Sequence, residues 1–158
     1  VASARTTTSR SPAGLIRLSG ILLVVAGAVM LIGGAVTWFT VSGQLADEKI
    51  TVSADADSFA GEKIDGPFTA YAEAQVIEKH ALAASGGKTY AELPKDDPKR
   101  EVVMTGSFLR SSLFTSVVSF GVAAMAMGLG VLVAIIGYAL LQLARYLPAP
   151  PVAGTAAD

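Results

Sequence analysis

Two long stretches without one charged side chain, residues 18–46 and 111–144, constrain this chain more than any other feature. They hold 29 and 34 residues, whereas roughly 20 helical residues suffice to cross a hydrocarbon core about 30 Å thick. Apolar runs of that length are read as transmembrane helices, and the first far exceeds the 7–15 apolar residues of a typical signal sequence, so it is expected to remain as an anchor. The predicted fold is a mainly α membrane protein: a two-helix transmembrane hairpin with spans over 15–41 and 113–144. A small, mostly helical extracytoplasmic loop domain over 42–112 joins them.

The charges outside the runs are unevenly shared. Residues 42–112 carry eight Lys/Arg against twelve Asp/Glu, while Arg5, Arg10, Arg17 and Arg145 flank the spans with Asp158 as their one acidic counterpart. Scattered lysines on an acidic segment do not make the clustered positive surface that nucleic acid requires, so no nucleic-acid partner is expected. The arginines before the first span favour cytoplasmic termini and an outward loop, in a plasma membrane crossed twice. Arg17 can snorkel to the headgroups. Trp38, Phe39, Tyr138 and Tyr146 lie toward the span ends, as interfacial anchors do.

Small residues recur at seven-residue spacing in both runs, as Gly20, Gly27 and Gly34 in the first and as Ala123, Gly130 and Gly137 in the second. Helices in lipid associate through close packing, and small residues permit it, so these six are the expected helix-packing positions. Ala126, Gly130 and Ala134 add a four-residue small-residue pattern.

Between the runs the local signals are mixed. Residues 49–53 (KITVS) read as a short strand, and residues 55–66 as an acidic turn. Pro67 suits the first turn of a helix over 68–84, capped by Asp65 or Gly66 and ended by Ser85, Gly86 and Gly87. On that helix Phe68, Tyr71 and Leu82 share one side, with Ile77 nearly opposite Phe68. Thr89 and Glu92 have capping-box spacing before Pro94. Asp97 and Pro98 start a helix that leads toward the second span, with a break possible at Thr105, Gly106 and Ser107. Residues 1–14 and 145–158, rich in Ser, Thr, Pro and Ala, are expected to be disordered tails.

No reactive constellation emerges. The chain has no cysteine and one histidine, His80, which excludes thiolate chemistry and Cys-based zinc or iron–sulfur sites. Asp55, Asp57 and Asp65 cluster, but an EF-hand register started at Asp55 would place Ala60 at the glycine position and Gly66 at the bidentate glutamate. No cofactor, metal or catalytic residue is expected. The spans lack interior ionisable groups, which proton relays and ion-coupled transport use.

Residues 66–93 (GPFTAYAEAQVIEKHALAASGGKTYAEL) and 107–128 (SFLRSSLFTSVVSFGVAAMAMG) resemble a group of small actinobacterial two-span membrane proteins often labelled "aromatic ring-opening dioxygenase". The resemblance implies membrane location. The label's chemistry does not carry over, because an extradiol dioxygenase holds Fe(II) with two His and one carboxylate. One histidine cannot supply two. The expected role is therefore non-enzymatic: a structural or accessory subunit packing into a larger envelope or respiratory assembly, with the lipid bilayer and a membrane-protein partner or second copy around it. The alternative is an extracytoplasmic module, anchored by the hairpin, that binds or senses a ligand.

Overall fold

The computed structural model describes residues 12–147. Three helices follow in order: α1 (Pro12–Asp47), α2 (Pro67–Ser85) and α3 (Lys99–Tyr146). At 1.5 Å per residue the 36 residues of α1 extend about 54 Å and the 48 of α3 about 72 Å. Both are long and apolar enough to cross a membrane. Their most apolar stretches are only 11% and 22% buried, unlike the core helices of a water-soluble protein.

Residues 12–14, expected as part of a disordered tail, form the first turn of α1, where Pro12 needs no hydrogen-bond acceptor for its nitrogen. Arg145 and Tyr146, also expected in a tail, continue α3, with the Arg145 cation placed at the negative helix end. Leu147 follows as a bend, and residues 1–11 and 148–158 of the predicted tails lie outside the described residues.

The chain divides into two compact units. One, described over residues 12–32 and 127–147, consists of the start of α1 and the end of α3 lying antiparallel, with Gly20 beside Gly137 and Gly27 beside Gly130. Its outward surface is aliphatic, including Leu22, Val29, Ile32, Leu132 and Ile135, each more than half exposed.

The other unit covers residues 33–126 and contains α2 with the adjoining parts of α1 and α3. Its core joins Leu45, Val52, Ile64, Ala70, Ala74, Leu113 and Phe120, and Trp38 meets Phe120 edge to face with ring centroids 4.8 Å apart. The small side chains of α2, Thr69, Ala70, Ala74 and Ser85, are buried together with Val76, while Phe68 and Tyr71 are 73% and 49% exposed. The sequence implies apolar contact on both sides of α2; Ile77 does pack against the core, whereas the rings of Phe68 and Tyr71 lie largely outside it. Close approach of α2 to its neighbours selects alanine at the contact and leaves the rings outside. The same closeness explains the continuity of α3 through residues 105–107. A Cβ on Gly106 would stand 2.9 Å from the Ala81 Cβ, so this glycine admits α2 instead of breaking α3.

The expected strand over 49–53 is reduced to one antiparallel bridge, Thr51 with Lys63, and among the described residues there is no extended strand. Local geometry explains the truncation. Lys49 has φ of +54°, outside the strand region, and the Ser53 N–H donates 2.7 Å to the Glu73 carboxylate instead of to a neighbouring strand. Helix α2 starts where Pro67 and Gly66 suggest, with the Thr69 hydroxyl accepting the Gly66 N–H at 3.3 Å, and stops at Gly86 in the left-handed conformation.

Candidate functional site

Helix contact in the first unit is made by backbone. A Cβ placed on Gly27 would lie 2.5 Å from the Gly130 carbonyl oxygen and 2.8 Å from the Ala134 nitrogen. One on Gly137 would lie 2.7 Å from the Val24 nitrogen, and one on Gly20 would lie 2.9 Å from the Gly137 carbonyl oxygen. All four glycines are buried. A glycine inside a helix costs about 0.5–1 kcal/mol relative to alanine. Four such costs are offset only if the backbone contact they permit is worth more, through dispersion across a surface that side chains would hold apart. Gly34 and Ala123 are buried in the second unit.

The proposed anchors fall into two groups. Trp38 is half-buried against Phe120, whereas Phe39, Tyr138 and Tyr146 are 74%, 61% and 85% exposed. Two hydroxyls within the charge-free part of α3 are internally satisfied: Thr115 donates to the Ser111 carbonyl at 2.9 Å and Ser119 to the Thr115 carbonyl at 2.8 Å. Such back-bonding lets a hydroxyl sit in an apolar surrounding without an unpaired donor.

Polar chemistry is concentrated in the second unit. Asp55 receives His80 Nε2 at 2.8 Å and Lys79 Nζ at 3.4 Å. The His80 hydrogen bond chiefly holds the Asp55 carboxyl below its usual range, outweighing an opposing effect of desolvation, with a lesser contribution from Lys79. All three side chains are about half exposed or more, so solvent screens the cluster. Glu73 clamps the turn by accepting both the Ser53 N–H at 2.7 Å and the Ser53 hydroxyl at 3.0 Å. Glu78 binds Arg110 at 2.8 Å. Sequence spacing gave no sign of these pairs, which join residues 20 to 32 positions apart. Glu92 accepts the Thr89 N–H and hydroxyl, each at 2.8 Å, and this depresses its pKa.

Asp57 and Asp65 do not join Asp55 in a ligand set. Among the described residues no three His, Asp or Glu side chains converge in a manner suited to a metal ion. A cavity of about 440 Å³ opens beside this region, with Asp57, Phe59, Phe68 and Tyr71 among its walls.

Comparison with known proteins returned no matching family model, no matching curated protein and no matching solved structure.

Proposed function

We propose that this chain is a non-enzymatic integral membrane protein, a helical hairpin that serves as a structural or accessory subunit of a larger envelope or respiratory assembly. The outward apolar surface of α1 and α3 carries the reading: their most apolar stretches are only 11% and 22% buried. Large contiguous apolar surface is rare on water-soluble monomers and needs a lipid or protein cover. Under this reading the glycine contact joins the two spans, the exposed aliphatic faces meet lipid and a partner subunit, and the acidic segment between the spans lies outside. Both termini are then cytoplasmic, in keeping with the arginines that precede α1.

Purification of the full chain in mild detergent at native expression, with crosslinking and mass spectrometry, tests the assignment. The expected product is a stoichiometric complex with a membrane-protein partner or a second copy. Recovery of monomer alone would overturn the subunit role.

A further inference from the structure

The cavity beside the start of α2 has an unusual combination of walls: the rings of Phe59, Phe68 and Tyr71, the carboxylates of Asp55 and Asp57, and the ammonium of Lys79. Phe59 has φ of +63°, a left-handed conformation that phenylalanine rarely adopts and that asparagine or glycine takes readily. Its turn, closed by the Glu62 N–H on the Phe59 carbonyl at 2.9 Å, leaves 42% of the residue exposed. Packing in the unit therefore does not account for the ring. Phe68, at 73% exposed, presents the same problem.

Position along the helices supplies a cover. Helix α2 runs antiparallel to α3, pairing Ala81 with Gly106, Glu78 with Arg110 and Tyr71 with Phe114. Phe68 precedes Tyr71 by about 4.5 Å of helix, which sets it level with residues 117–118 of α3, inside the charge-free run. With α3 in a bilayer, the cavity opens at headgroup depth, where aromatic side chains concentrate. Charge then narrows the choice of headgroup. Asp55 is engaged by His80 and Lys79, whereas the Asp57 carboxylate has no ion pair or hydrogen bond among the described residues. Aromatic faces beside a free carboxylate favour an organic ammonium, and Lys79 favours a phosphate.

We propose that this cavity holds the headgroup of a zwitterionic phospholipid from the surrounding bilayer, with its ammonium among the three rings beside Asp57 and its phosphate toward Lys79. The assignment rests on the membrane reading above. A volume of about 440 Å³ lies within the range of small-ligand sites. An anionic phospholipid without an amine would bring its charge to Asp57 with nothing to offer the rings.

Thermal unfolding of the full chain in mild detergent, titrated with phosphatidylethanolamine, phosphatidylglycerol or soluble glycerophosphoethanolamine, tests the proposal. Phosphatidylethanolamine is expected to stabilise with an apparent affinity about five-fold better than phosphatidylglycerol, and the soluble headgroup to act weakly. Asp57→Asn and Phe59→Asn should each abolish the preference, and Phe59→Asn should melt no lower than the parent without lipid because asparagine relieves the backbone. Phe68→Ser, at an exposed position, supplies a second ring deletion with the same expected loss. Equal response to both lipids, or a preference that survives these substitutions, would overturn the assignment. A full response to glycerophosphoethanolamine would overturn the bilayer as source. A chain recovered in the soluble fraction without detergent would refute the membrane reading itself, whereas a detergent-requiring chain with no lipid preference would refute the cavity assignment alone.

Discussion

Substituting Gly27 and Gly33 by alanine should change stability in opposite directions, although they lie six residues apart on one helix. At Gly27 the added Cβ would stand 2.5 Å from the Gly130 carbonyl oxygen and 2.9 Å from the Ala134 Cβ. Relieving that overlap requires the local backbones to separate by about 1 Å, and a gap of that size forfeits a quarter to a half of each dispersion contact. Overpacking of this kind costs about 1–3 kcal/mol, against which alanine returns about 1 kcal/mol of helix propensity. The net expectation is a loss of up to about 2 kcal/mol for Gly27→Ala, and more for Gly27→Leu. At Gly33 a Cβ meets nothing within 4 Å, so only the propensity gain of up to about 1 kcal/mol remains. Reversible unfolding of the full chain in mild detergent, followed by circular dichroism, measures both. If Gly27→Ala proves as stable as Gly33→Ala, the backbone contact is not what joins these helices.

Three further outcomes follow from the second unit. Phe120→Ala, which removes a ring 1% exposed and its edge contact with Trp38, should cost about 3–5 kcal/mol in the same assay. Glu73→Ala strands the Ser53 N–H and hydroxyl it now accepts and should cost about 1–3 kcal/mol, with faster amide exchange at Ser53 as the local signature. The depressed pKa of Asp55 means that its contribution is complete above the ordinary carboxylate range and fades as pH falls through the lowered value. The melting difference between the parent and Asp55→Ala should therefore vanish in strong acid. A difference that persisted in strong acid would contradict the sign.

Legibility in the sequence followed the range of the interaction. The two long helices were readable because a charge-free run is a local property, and α2 was readable because Pro67, Gly66 and Gly86 act on their own turns. The direction in which α2 faces was not. Ala70 and Ala74 are sparse signals beside Phe68 and Tyr71, and apolar periodicity ranks rings above methyl groups, yet close approach of backbones rewards the smaller side chain. KITVS has the composition of a strand, but a strand also needs a neighbour, and Glu73 takes the Ser53 N–H that such a neighbour would have used. The pairing of Asp55 with His80 depends on the turn after residue 53 folding back on α2, a long-range event that no spacing rule anticipates.

Membrane insertion with an outward middle segment is the central claim, and a chain without cysteine allows it to be tested with single substitutions. Lys95→Cys lies on an exposed turn between α2 and α3, and Tyr146→Cys replaces a residue 85% exposed at the end of α3. A membrane-impermeant maleimide applied to intact cells should label Lys95→Cys and should reach Tyr146→Cys only after lysis. Labelling of Tyr146→Cys alone before lysis would reverse the orientation, and equal labelling of both would contradict a two-span membrane protein.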